Sequence, residues 1–166
     1  MVEISSYYFE KLSEEENSIA LVSLDKVRKA EENWLSSIET LLPVKAKIRF
    51  LVDYIDTNRG KKSTVFFDKL SKKIKLSLNV DHINDKVKEA DGEYKRLKEE
   101  SKSLYEKEAK ARETLADTEF EFACILYQGD DMMADFFTKE CEEERKKFIE
   151  ETINKYIIEL KKTALQ

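Results

Sequence analysis

The chain is poor in the residues that break and turn a polypeptide: its 166 residues include three Gly and one Pro. Few turns mean long elements between them. With two cysteines, Cys124 and Cys141, it has neither a disulfide framework nor a paired-ligand spacing, so a reduced compartment is expected. One histidine, His82, excludes a histidine-based metal site, and three isolated glycines cannot build a phosphate-cradling loop. The N-terminus, from Met1 to Ser5, has neither a basic nor an apolar leader region. No apolar run approaches the ~20 residues that span a bilayer. The expectation is a soluble cytoplasmic protein. Neither sign of charge dominates: 30 Lys and Arg face 35 Asp and Glu, a net −5 that disfavours nucleic acid as a partner.

What the chain does have is period. Charged residues make up 39% and hydrophobic ones 41%, the mixture of long helices with solvated outer faces. Steps of three and four trace Val80, Ile83, Val87, Ala90, Tyr94, Leu97, Ser101, Leu104, Glu108, Ala111, Leu115, Thr118, Phe122 and Ile125, with Ser101, Glu108 and Thr118 as the polar exceptions. A 3.5-residue period held this long is a coiled-coil seam. At ~1.5 Å per residue it predicts a helix on the order of 70 Å long. A second seam runs through Ala20, Leu24, Val27, Glu31, Trp34, Ile38, Leu41, Lys45, Ile48, Val52 and Ile55, with Glu31 and Lys45 polar. Pro43 lies inside it and predicts a kink near Ser36 to Leu42, because proline deletes one backbone bond and crowds the preceding turn. Gly92 lies in the first seam, where it can admit a close helix neighbour beside Ala90.

Helices are expected at about 3–57, 63–78, 80–128 and 131–165, with Asn79 or Asp81 capping the third and Gly129-Asp130-Asp131 closing it and opening the fourth. These elements imply an all-α single domain, an elongated antiparallel three-helix coiled-coil bundle with long kinked helices. The stripe of Ile19, Leu24, Trp34, Leu35, Ile38 and Leu42 is wider than two intramolecular neighbours need, so Leu24, Trp34, Leu35 and Ile38 are assigned to the core and to a homodimer face.

No catalytic constellation, metal set or cofactor site emerges. Adjacent Asp81 and His82 point about 100° apart on a helix. Glu14-Glu15-Glu16 and Glu142-Glu143-Glu144 splay around their axes and read as solvated faces. The informative stretch is Asn58 to Leu78, where Arg59, Lys61, Lys62, Lys69, Lys72, Lys73 and Lys75 outweigh Asp68 for a local net charge of +6. Phe66 and Phe67 interleave with these cations. An interfacial helix that binds anionic lipid has this composition. The competing reading buries Phe66, Phe67, Leu70 and Ile74 in the core and leaves the lysines in water.

The last helix carries a resemblance. Phe136-Phe137-Thr138-Lys139-Glu140, then Glu144-Arg145-Lys146-Lys147-Phe148-Ile149, then Tyr156-Ile157-Ile158-Glu159-Leu160, resembles the closing helix of the BAR-domain superfamily, nearest to the sorting-nexin type. That resemblance implies a non-enzymatic dimeric scaffold on anionic membranes, peripheral on endosomal or other surfaces. The alternative, from another class, is a coiled-coil adaptor that binds only helical proteins in a trafficking or cytoskeletal complex.

Overall fold

The structure is a computed structural model and describes residues 3–59 and 70–164, with side chains described over 3–58 and 85–164. Among these residues every regular element is a helix: α1 Ser6–Glu10, α2 Glu14–Arg59, α3 Leu70–Glu100, α4 Lys102–Leu126 and α5 Asp131–Ala164. The chain forms two compact units. One comprises residues 1–42 and 103–152, the other 43–102 and 153–166.

The expected first helix, about 3–57, is two helices, and the reason is a capping box. The Ser13 backbone N–H donates to Glu16 Oε2 at 2.8 Å, and the Glu16 N–H donates back to Ser13 Oγ at 3.2 Å. This reciprocal pair satisfies two backbone donors that a helix start leaves without partners. The Glu14-Glu15-Glu16 run therefore opens a helix, where carboxylates are favoured by the helix dipole. From there α2 runs for 46 residues with Pro43 inside it. Pro43 donates no N–H to the Glu39 carbonyl, and one unit ends and the other begins at Leu42 and Pro43.

The break expected at Asn79 or Asp81 is not there, since the α3 backbone is helical through both. The interruption comes at Ser101, and it is slight. The Ser101 N–H still donates to the Leu97 carbonyl at 2.9 Å, and its buried hydroxyl donates to the Lys98 carbonyl at 3.2 Å. At the end of α4, by contrast, the chain turns fully. Gly129 N–H donates to the Cys124 carbonyl at 2.8 Å and Gln128 N–H to the Ile125 carbonyl at 3.2 Å, a Schellman arrangement. Gln128 (φ 53°) takes the left-handed backbone this closure requires, and Gly129 (φ 82°) follows it with a positive φ of its own. Asp130 then caps α5, its Oδ1 accepting from the N–H groups of Met132 and Met133 at 3.1 and 3.2 Å.

Two of the seam's polar exceptions show how the pattern is buried. Where the heptad count lands on Glu31 and Lys45, the buried residues are their neighbours Ala30 and Ala46. A straight helix drifts by about 20° per heptad against a 3.5 repeat, and the alanines take up that drift. In the unit of residues 43–102 and 153–166, Leu51, Ile55 and Ala90 form a cluster, with Tyr54, Val87, Tyr94 and Leu97 against it and a Lys47–Glu93 ion pair beside it. The other unit buries Leu24, Val27, Ile38 and Leu41 from α2 with Leu115 and Phe122 from α4 and Ala134 and Phe137 from α5. Outward faces carry pairs such as Asp25–Lys29 and Asp135–Lys139, whose hydrogen bonds raise the Lys29 and Lys139 ammonium groups above their ordinary pKa range.

Gly92 admits no close neighbour: a Cβ placed there meets nothing within 4 Å. It is simply a weak point in α3, so Gly92→Ala is expected to stabilise the fold by about 1 kcal/mol in urea denaturation. A lower midpoint would mean that the extra methyl group meets something. Removing the α2 cap with Ser13→Ala is expected to cost about 1 kcal/mol by the same measurement, without changing the denaturant slope.

Candidate interaction surface

Of the residues assigned to lipid, Lys61, Lys62, Phe66, Phe67 and Lys69 lie outside the described residues. Arg59 ends α2, and Lys72, Lys73 and Lys75 lie on the helical backbone of α3, with their side chains outside the described set. Of the residues assigned to the core and dimer face, Leu24, Trp34 and Ile38 are buried within this one chain, and Leu35 is left at the surface. The width of the α2 stripe therefore has two causes. Leu24, Trp34, Ile38 and Leu42 are covered within the chain, and Ile19 and Leu35 remain half exposed.

Trp34 is the centre of a polar junction that the seam pattern did not foretell. Its indole Nε1–H donates to Glu108 Oε1 of α4 at 3.1 Å. Glu108, a polar exception in the long seam, is thus buried with its acceptor used, and Arg112 Nε stands 3.7 Å from the same oxygen. About three turns beyond Glu108 along α4, Glu119 accepts both contacts of Arg145 Nη1 from α5, at 2.6 and 2.8 Å. Glu119 and Arg145 are 4% and 9% exposed, so the pair is desolvated and short. The guanidinium carbon lies 5.9 Å from the Trp34 ring centroid, within cation–π range. Phe148 completes the group with its ring centroid 6.5 Å from that of Trp34.

Sequence reading missed Arg145 because the stretch Thr138 to Lys147 is polar apart from Cys141. A signal was present in the spacing. Phe137, Cys141 and Arg145 follow one another at four-residue steps, so Arg145 falls on the buried stripe of α5. At the turn end of the same unit, α1 closes over α4, with the Tyr8 and Tyr127 rings 4.9 Å apart and Phe9 and Phe122 6.3 Å apart. Burial, together with the nearby Asp131 carboxylate, raises the Cys124 thiol above its ordinary range, which keeps it protonated at neutral pH.

Beside the junction, α2 and α5 border an open groove of about 460 Å³. Trp34, Glu119, Cys141 and Arg145 lie beneath it, Leu35 and Phe148 flank it, and Glu31, Glu144, Lys147 and Glu151 complete its lining. Leu35 is 41% and Phe148 46% exposed. Among the described residues no group of three or more His, Cys, Asp or Glu is placed to hold a metal ion, and no helix is long and apolar enough to cross a membrane.

The buried pair generates a sharp expectation. Arg145→Met alone strands the Glu119 carboxylate, and Glu119→Leu alone strands the guanidinium; each is expected to cost about 3–5 kcal/mol. The double variant, with both charges replaced by apolar groups of similar size, is expected to recover most of that loss. Chemical denaturation of all four proteins gives the coupling directly. Additive single losses would mean that the two charges do not stabilise each other.

The chain matches no family model, no curated protein and no solved structure.

Proposed function

We propose that this chain is a non-enzymatic, dimeric membrane-associating scaffold of BAR-like type, a three-helix coiled-coil bundle that binds anionic lipid through its basic segment. The observation that carries this reading is charge segregation. A chain of net −5 concentrates +6 between Asn58 and Leu78, which leaves −11 on the remainder. Each lysine near an anionic bilayer contributes about 1 kcal/mol of attraction, and the adjacent Phe66 and Phe67 supply apolar surface to the acyl boundary. The long helices α2, α4 and α5 are the kind of rigid elements on which such a segment acts. For the second copy, Ile19 and Val22 offer an apolar pair one turn apart on α2, each half or more exposed.

Reversal of Lys69, Lys72, Lys73 and Lys75 to Glu is expected to abolish sedimentation with phosphatidylserine-containing liposomes while leaving helicity unchanged by circular dichroism. Sodium chloride is expected to weaken the wild-type interaction in parallel, since the screening length falls to about 3 Å at 1 M salt. Wild-type protein that ignores anionic liposomes at low salt would remove the membrane reading and leave the protein-binding adaptor.

A further inference from the structure

Along the first turns of α2, four exposed residues are arranged symmetrically about a point in the sequence. Glu15, Ile19, Val22 and Lys26 follow one another at steps of four, three and four, and all four are exposed. At about 100° per residue, these steps keep the side chains within a stripe about 60° wide. Ile19 is 50% and Val22 63% exposed, so the apolar centre of the stripe is left uncovered. The buried residues of the same segment, Ala20, Leu24 and Val27, fall on another side of the helix. The two ends of the stripe carry opposite charges. Among the described residues, the Glu15 carboxylate and the Lys26 ammonium have no ion pair or hydrogen bond. Their charged neighbours are engaged, Asp25 with Lys29 and Glu16 with the Ser13 N–H.

This pattern is complementary to itself. Under a two-fold axis that passes between residues 20 and 21, a second copy of the helix runs antiparallel to the first. Ile19 then faces Val22 of the partner subunit, Glu15 faces Lys26 of the partner subunit, and each contact occurs twice. A parallel pair instead sets Glu15 against Glu15 and Lys26 against Lys26, and like charges so placed oppose it. An anionic bilayer gains little from a stripe whose two charges cancel, and it repels Glu15. The antiparallel copy satisfies both ends and covers the apolar centre.

We propose that this stripe is a contact by which two copies of the chain associate, as an antiparallel pair of α2 helices with Glu15–Lys26 ion pairs at both ends. The assignment rests on the dimer named above and gives it an orientation and a register; it does not depend on lipid. Sedimentation equilibrium of the full chain at low salt is expected to show a monomer–dimer equilibrium. Glu15→Lys alone and Lys26→Glu alone each turn two attractive pairs into two repulsive ones, and each is expected to weaken self-association about tenfold. The two single variants mixed in equal amounts are expected to associate as wild type does, because every Lys then faces a Glu. The double variant, Glu15→Lys with Lys26→Glu, is expected to self-associate as wild type does for the same reason. Glu113→Lys, at an exposed position of α4, is expected to change nothing. All these positions are exposed, so helicity by circular dichroism is expected to stay at the wild-type value. A dimer that neither single variant weakens would overturn the assignment and leave a dimer formed elsewhere on the chain. Equal weakening by Glu113→Lys would overturn it too, since net charge and not the stripe would then govern association. Single variants that weaken association and fail to recover when mixed would overturn the register. A wild-type chain that stays monomeric at high concentration would overturn the dimer altogether, with liposome sedimentation still deciding the lipid reading.

Discussion

The buried contact between Glu119 and Arg145, with the Trp34–Glu108 hydrogen bond next to it, is the constraint on which the unit of residues 1–42 and 103–152 depends. Heptad seams specify that helices meet, but they specify their register weakly, because a slide by seven residues restores the same apolar pattern. A slide of α5 by one heptad removes Arg145 from Glu119 and leaves two desolvated charges without partners. Taking each charge out of water costs several kcal/mol, and only a close partner offsets it. The pair adds little net stability when made, and its loss is expensive. That asymmetry selects one register from several that hydrophobic burial alone would tolerate. Trp34 joins the third helix to the same lock, since its N–H has one acceptor at hand in Glu108.

The helices themselves were legible because their cause is local. The three-and-four spacing of apolar residues along α2, α3 and α4 follows directly from 3.6 residues per turn, and scarce Gly and Pro let each run continue. Boundaries were legible only where a side chain carries the cap. Asp130 and Gly129 were readable at the α4–α5 turn, and Ser13 with Glu16 could have been read as Ser-x-x-Glu ahead of an apolar run. Asn79 and Asp81 offered cap chemistry where the seam begins at Val80, yet the helical backbone of α3 runs through both. The polar exceptions divide by mechanism. Glu31 and Lys45 are displaced by Ala30 and Ala46 through helical drift, whereas Glu108 is itself buried because a partner lies across from it. Pattern counting cannot separate those cases, since the partner, Trp34, is 74 residues away.

The surfaces were legible to a lesser degree, and the reason is again physical. A binding face on a helix needs no motif, only residues that are left uncovered when neighbouring helices are in place. Leu35 and Trp34 are adjacent in sequence and both apolar, and the sequence assigns them together. In the folded unit Trp34 is covered and Leu35 is not, because adjacent positions point about 100° apart around the helix. The same geometry exposes Phe148 beside buried contacts of Trp34 and Arg145. The groove exists because Leu35 and Phe148 fall on facing edges of two helices, a coincidence that becomes visible once register is fixed.

Charge segregation gives the membrane proposal its physical basis. A protein whose charges are nearly balanced minimises self-repulsion by mixing signs over its surface. This chain mixes them along most of α2, α4 and α5, through pairs such as Asp25–Lys29 and Lys146 with Glu142 and Glu143. It departs from mixing in the basic run from Arg59 to Lys75, where seven cations stand against Asp68. That run sets like charges close together in the sequence, which is unfavourable in isolation and is relieved by a partner of opposite sign. It also carries Val65, Phe66 and Phe67 among the charges. Like charge with interleaved apolar residues is the composition of an amphipathic contact, and the sign of the run is the reason an anionic surface is proposed for it.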